Sequence, residues 1–338
     1  MIDGASLLTR AYTPGKRRMT VYVSWSYPAE SQFPLYELDN RFSTLWEVRR
    51  VGWPKFEYMA DPAKNLQGID GTLELFFRDW ELFATIASEA SGFPVPFYQR
   101  IDQRGHFTPL DENLLAQTDT LLVFSLDHQR SQQVASPEEI EAVRAFISRE
   151  GTYLVIGPHH DIGKSDDLAV RQAEYRHHGD RLVPRQQRFG TFGLSLLRGL
   201  KIPVINQYGL SPARDEDSGE AAPLNIARDL DTAHLLDGVT SFSLHPHLPH
   251  YALTGEPGDP VHVLATQQIN PKARPHPFTD AGNHEFNALV VAPPTSSRAG
   301  TILVMDSTHF AGSLFGSSDS LKRFWQNLAT VRQPVAVP

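Results

Sequence analysis

The sequence predicts an α/β fold on a mostly parallel sheet, and three features of its centre predict it. Asp119-Thr-Leu-Leu-Val-Phe-Ser-Leu126 is a short unbroken apolar run, as expected of a strand covered on both faces. Thr152-Tyr-Leu-Val-Ile-Gly157 is a second such run. Between them lies a helix with both end signals: Ser136 caps, Pro137 takes the first helical position, Glu139 completes a capping box, and Gly151 is the left-handed stop. Ile140, Val143, Phe146 and Ile147 form its buried stripe. Strand, helix and strand within about 40 residues make a parallel crossover unit.

The remaining elements follow in order. Residues 1–18 read as a polar leader whose Lys16-Arg17-Arg18 cluster is solvated charge, and residues 19–332 as one domain. Met19–Ser24 is a first strand. Residues 27–70 are rich in proline and aromatics without clear period and read as an insertion over the sheet edge. Leu73, Phe76, Phe77, Trp80, Phe83, Ala84 and Ala87 share the face of a helix stopped by Gly92 and Pro94. Phe189, Phe192, Leu196, Leu197 and Leu200 mark another helix, with Pro203–Asn206 as a strand after it. Residues 211–223 are acidic and aperiodic, an exposed loop. Strands return at 261–266, 286–291 and 301–305, and a last helix carries Leu321, Phe324, Trp325 and Leu328 on one face.

Composition removes several function classes. The chain of 338 residues has no cysteine, which excludes disulfides, a thiol nucleophile and thiolate metal sites. Its net charge of −8 offers no basic field for nucleic acid or anionic lipid, so neither is an expected partner. No run of 18 apolar residues and no signal-type N-terminus appears, and the expected location is cytoplasmic. Gly163-Lys164-Ser165 follows a strand, but five residues separate Gly157 from Gly163 where a phosphate loop needs four, so no nucleotide is expected. No Gly-x-Ser-x-Gly elbow occurs.

What stands out is fourteen histidines without a cysteine, which leaves imidazole and carboxylate as the good transition-metal ligands. Ligands of open parallel sheets bind outside the carboxyl ends of the strands. Here Asp127 and His128 follow one apolar strand, His159, His160 and Asp161 a second, and Asp306 and His309 a third. If these strands are neighbours, the side chains converge. His159, His160, Asp161 and Asp306 are then the catalytic candidates, and Asp127, His128, His159, His160 and His309 the metal candidates. Zinc, iron or manganese suits such a ligand set, with a bound water as nucleophile or an open position for substrate. The competing reading is that these polar residues cap helices and bond loop backbone. In the run His245-Pro-His-Leu-Pro-His250, His245 and His247 share a face if extended and could chelate a metal, or the prolines make it a surface loop. His177-His178 is a closing loop or a solvated one. His284-Glu285 lacks the second histidine of a zinc-protease helix.

From Ser136 to Asp161, the helix followed by Gly151-Thr-Tyr-Leu-Val-Ile-Gly-Pro-His-His-Asp161 resembles the class I glutamine amidotransferase-like superfamily, closest to its thiol-free, trehalose-utilisation-type branch. Leu236-Asp237-Gly238-Val239 and Gly300–Ser307 resemble the tail of such domains, so the likeness spans residues 110–330 in outline. The resemblance implies a flavodoxin-like sheet with helices on both faces. It does not carry amidotransferase chemistry, because Pro158, His159 and His160 stand where the active enzymes place their cysteine. Two functional expectations result. One is a hydrolase or lyase for a small polar molecule, with Trp46, Glu47, Arg49 and Arg50 of the insertion contacting substrate. The other is a non-catalytic ligand-binding or interaction module. A homo-oligomer is compatible with both.

Overall fold

The computed structural model describes residues 17–31, 77–162, 165–177, 187–243, 245, 247–311 and 319–331. Residues 1–16, most of the insertion at 27–70 with Trp46, Glu47, Arg49 and Arg50, Leu73, Phe76 and His178 lie outside them. The strands are β1 (Met19–Ser26), β2 (Phe97–Ile101), β3 (Thr120–Ser125), β4 (Tyr153–Pro158), β5 (Asp161–Ile162), β6 (Gln187–Arg188), β7 (Val204–Leu210), β8 (Asn225–Ile226), β9 (Leu248–Leu253), β10 (His262–Gln268), β11 (Glu285–Ala292) and β12 (Thr301–Met305). The helices are α1 (Tyr27–Ser31), α2 (Glu81–Ser91), α3 (Glu112–Ala116), α4 (Pro137–Ile147), α5 (Leu168–His177), α6 (Thr191–Gly199), α7 (Pro277–Asp280) and α8 (Asp319–Thr330).

An eight-stranded sheet in the order β2-β1-β3-β4-β12-β11-β10-β8 organises the chain. From β2 to β12 every pairing is parallel, and the last three strands add antiparallel pairings. Alternation along each strand divides the core into two clusters. Val21, Val23, Leu122, Phe124, Val155, Leu303 and Met305 pack with Phe83 of α2 and Phe324, Trp325 and Leu328 of α8. Tyr22, Leu121, Val123, Leu154, Ile156, Ile302 and Val304 pack with Val143 and Phe146 of α4 and Phe192, Leu196 and Leu197 of α6. The strands therefore carry apolar side chains on both faces because helices cover both.

The crossover from β3 through α4 to β4 has the start signals its sequence predicts: Ser136 accepts the Glu139 N–H, and Glu139 returns a bond to the Ser136 N–H at 2.9 Å. Its stop differs, because Ser148 is a right-handed C-cap and Gly151, with φ of 72°, lies in the turn beyond it. Register pairs Ser125 with Pro158 and Ile156 with Val304, so the carboxyl ends of β3, β4 and β12 emerge side by side.

One expectation changes, and one predicted strand finds its partner outside the main sheet. Arg17 is not solvated: it is buried, donates to Thr120 Oγ1 at 2.7 Å and to the Asp119 and Gly151 carbonyls at 2.7 and 2.6 Å, and lies over the Tyr153 ring. A guanidinium's fixed fork of donors suits it to these strand-end acceptors. The strand after α6 does not join the main sheet. β7 pairs antiparallel with β9 in a separate ribbon, which brings the histidine-rich segment before β9 against the end of β4. Tyr251 Oη of β9 donates to the Pro158 carbonyl at 2.9 Å and fixes that approach. The loop at 211–223 is exposed at its tip, while Pro212, Ala213, Ala221 and Ala222 at its base are buried.

Candidate functional site

The site is built where β4 and β12 end. His159 follows the last residue of β4, and Asp306 follows the last residue of β12. His159 Nδ1 lies 3.0 Å from Asp306 Oδ1 and 3.1 Å from Oδ2, a charge-assisted contact shared by both oxygens. Asp306 also caps the 3-10 turn Ser307–Phe310, accepting from the Thr308 N–H at 3.2 Å and from Thr308 Oγ1 at 2.8 Å. Burial alone would raise its carboxyl; His159 beside it, then His245 and His309, outweigh burial and hold it at about 2. Asp306 is thus an ionised carboxylate in the protein interior.

His245 completes a group of three. It comes from the segment before β9, and one donor atom each from His159, His245 and Asp306 all lie within 4.8 Å of one another. These residues are 8%, 4% and 0% exposed. Burial, then neighbouring His159 and His247, push His245 well below the usual imidazole range, with Asp306 opposing. Its Nδ1 lies 3.0 Å from the His247 carbonyl and 3.1 Å from the His247 N–H. One nitrogen cannot donate to the first and accept from the second at once, so the ring tautomer decides which bond forms. Donation to the carbonyl leaves the ring lone pair on Nε2.

More imidazoles surround this group. His160 packs edge-on against His159 with ring centroids 4.0 Å apart, and His247 lies 5.6 Å from His160. His309 is buried with Nδ1 3.0 Å from Ser243 Oγ. Burial brings His309 down to about 4 against the pull of Asp306, with His159 adding to the fall.

The other expected ligands do not join. Asp127 Oδ1 accepts from Ser24 Oγ and from Ser125 Oγ at 2.8 Å, and Oδ2 accepts the Phe192 N–H at 3.0 Å, docking the start of α6 on the end of β3. Burial pushes its carboxyl up to about 6 against these bonds. His128 accepts the Arg130 N–H on Nδ1 at 3.1 Å and meets the edge of Phe189, whose ring stands 5.4 Å from His128 and 5.7 Å from His159. Asp161 accepts the Phe189 N–H at 3.2 Å. For Asp127, His128 and Asp161 these bonds are of the capping and loop-bonding kind. Among the described residues, the convergence of potential ligand atoms therefore involves the ends of β4 and β12, not that of β3.

The histidines outside the edge cluster divide. His245 and His247 are buried, not a surface loop. His250 turns elsewhere, with Nδ1 accepting the Asn287 N–H at 3.1 Å. His177 is buried at the end of α5, where Nδ1 donates to the Arg274 carbonyl at 2.6 Å and Nε2 accepts the Ser211 N–H at 3.2 Å. Neither a closing loop nor a solvated group fits it.

Sequence reasoning missed Asn206 and Ser307. Asn206 Nδ2 donates to the His159 carbonyl and, at 3.1 Å, to the Phe189 carbonyl. A polar amide inside the apolar start of β7 was the available signal. Ser307 Oγ donates to the Gly157 carbonyl at 2.5 Å and accepts the Ser125 N–H at 3.2 Å.

No protein-family model matches the chain, and no curated protein matches it. Among solved structures, the mmIFT52 N-terminal domain is similar with a TM-score of 0.37 and 8% identity, covering 69% of this chain and 81% of that one. A likeness that distant carries no argument about this site. Among the described residues, no helix is long and apolar enough to cross a membrane.

Proposed function

We propose that the chain is a hydrolase or lyase for a small polar molecule, with His159 as general base and Asp306 as the group that orients it. The observation that carries this reading is the bond of His159 Nδ1 to both oxygens of ionised Asp306 at the carboxyl edge of a parallel sheet. A carboxylate on Nδ1 fixes the tautomer that presents Nε2 to a substrate or water, and it stabilises the imidazolium formed when Nε2 takes a proton. Burial of the pair favours a small substrate and strengthens each electrostatic contact made with it. The parallel strand order β2-β1-β3-β4-β12 supports a flavodoxin-like assignment, and with it the expected membership of a thiol-free amidotransferase-like branch.

The test is turnover by the full chain of a panel of small esters, lactones, amides and glycosides near neutral pH. Activity lowered by about 10²–10⁴-fold in His159→Gln, in protein that keeps its melting temperature, is the expected result. A substrate bound without turnover would replace the enzyme with a binding module.

A further inference from the structure

The group around Asp306 contains more than an acid–base pair needs. A dyad is complete with His159 and Asp306, yet His245 arrives from a third segment and brings a donor atom within 4.8 Å of both. Two imidazoles and one carboxylate are the donors that intermediate divalent ions take, and the chain has no thiolate to divert such an ion.

We propose that His159, His245 and Asp306 form a three-ligand divalent-metal site of the zinc type, with its fourth position open to water or a substrate oxygen. The inference rests on the reading of this edge as the working site and changes the roles within it: with an ion bound, His159 and Asp306 would be ligands, and a water on the ion would supply the nucleophile in place of a His159 base.

Distance supports it. Four-coordinate zinc with nitrogen and oxygen ligands holds its donors roughly 3.3 Å apart. The three groups already stand within 4.8 Å, so side-chain adjustment closes the site without moving the strands. The His159–Asp306 contact is one that a nitrogen and a carboxylate make around a proton, and an ion placed between them replaces that proton.

Outer contacts supply a second argument. Metal-binding imidazoles usually give their other N–H to a carbonyl or carboxylate. His245 Nδ1 has the His247 carbonyl at 3.0 Å, and donating there leaves the ring lone pair on Nε2. Asp306 is steadied by Thr308 through its hydroxyl and its N–H, and the His159 backbone by Asn206.

Charge supplies the third. A divalent ion, one carboxylate and neutral imidazoles sum to one positive charge. That residual charge in a buried site attracts hydroxide or an anionic oxygen and lowers the pKa of a bound water. The substrate class that fits is a small molecule presenting a carbonyl, carboxylate or phosphoryl oxygen.

The experiment loads the chelator-treated full chain with Zn²⁺ alone. Elemental analysis is expected to show one ion per chain, and X-ray absorption of the loaded wild type to show scattering from two imidazoles. His245→Ala is expected to weaken Zn²⁺ binding by more than roughly 100-fold, beyond what loss of an outer partner causes. His250→Ala, outside the group, is expected to leave it unchanged. Absence of stoichiometric zinc, a bound ion without two imidazoles, or folded His245→Ala binding like wild type would each overturn the site. If His245→Ala does not fold, the absorption spectrum of the wild type decides. Zinc bound without turnover would leave the ion site standing and remove the enzymatic reading. Turnover in a chain that takes up no stoichiometric zinc would do the reverse.

Discussion

Ser307 closes against Gly157: its Oγ donates to the Gly157 carbonyl at 2.5 Å while accepting the Ser125 N–H at 3.2 Å. One hydroxyl thereby joins the ends of β3, β4 and β12, immediately beside His159 and Asp306. The approach requires glycine, because a Cβ at 157 would meet the Ser307 backbone nitrogen at 2.8 Å and the Met305 carbonyl oxygen at 2.9 Å. Backbone atoms yield less readily than a flexible side chain. Gly157→Ala is therefore expected to destabilise the fold by about 1–3 kcal/mol, the range for overpacking a filled interior. Urea unfolding checks it; a midpoint equal to wild type would show that the strand ends separate freely.

Acid should weaken the fold through its buried histidines. Burial lowers His309 and His250 to about 4, and burial with neighbouring His177 lowers His276 to about 3. In the unfolded chain each titrates near 6.5, so between about 6.5 and 4 the unfolded state binds protons that the folded state refuses. The stability these groups contribute is present above 6.5 and lost as pH falls. Asp127, raised to about 6 by burial, acts in the opposite sense, because the folded chain takes its proton first. Asp306, held at about 2, adds a further loss below about 4. Each unmatched proton is worth about 1.4 kcal/mol per pH unit. Among the described residues burial also raises Asp231, but the lowered histidines, with His177 and His245 joining the three above, outnumber the two raised carboxylates. His276→Asn retains an acceptor for the Phe278 N–H while removing the titration, so stability should depend less steeply on pH. Melting temperature followed from pH 7 to 4 is the measurement, and an unchanged slope in the variant would remove His276 from the account.

The buried pair Arg100–Glu139 should respond unequally to loss of either partner. Arg100 also donates to Gln133 Oε1 at 3.1 Å, Tyr22 Oη at 3.2 Å and the Val134 carbonyl at 3.1 Å. Glu139 accepts N–H groups from Ser136 and Leu110 at 2.9 and 3.2 Å. A guanidinium cannot shed its charge, whereas a carboxyl can take a proton. Glu139→Ala strands the cation and opens the capping box, and is expected to destabilise by about 3–5 kcal/mol. Arg100→Met is expected to destabilise less, since Glu139 keeps its two N–H donors. Denaturant midpoints of the two variants rank them, and the reverse order would place the stress on the carboxylate.

Much of this architecture was legible because its signals are local. Ser136, Pro137, Glu139 and Gly151 act through the backbone within a few residues, and the apolar runs of β3, β4 and β12 need only period and length. The site was legible in part for the same reason: His159 and Asp306 directly follow β4 and β12. That His245 joins them was not, although His245 and His247 stood out as a possible chelating pair, because its place depends on β7 leaving the main sheet to pair with β9, and on Tyr251 reaching the Pro158 carbonyl. Asp127 and His128 carry the same composition as the site residues. Asp127's bonding to the start of α6 depends on Phe192, which no spacing rule connects to it, whereas His128 makes a local cap onto the Arg130 N–H that leaves it equally out of the site.

His159 and Asp306 should act as one unit if the first serves as base and the second orients it. The expected result is that His159→Gln and Asp306→Asn each lower kcat by about 10²–10⁴-fold, while the double variant falls little further. The reason is geometric: with the imidazole gone, the carboxylate has no proton acceptor to aim. Asp306→Asn leaves an oxygen for the Thr308 bonds but puts an amide where His159 Nδ1–H needs an acceptor, which favours the wrong tautomer. Comparing kcat with melting temperature separates the orienting role from a purely structural one. Loss of the carboxylate should lower kcat in protein that melts with the wild type. Multiplicative losses in the double variant would mean that the two residues work independently.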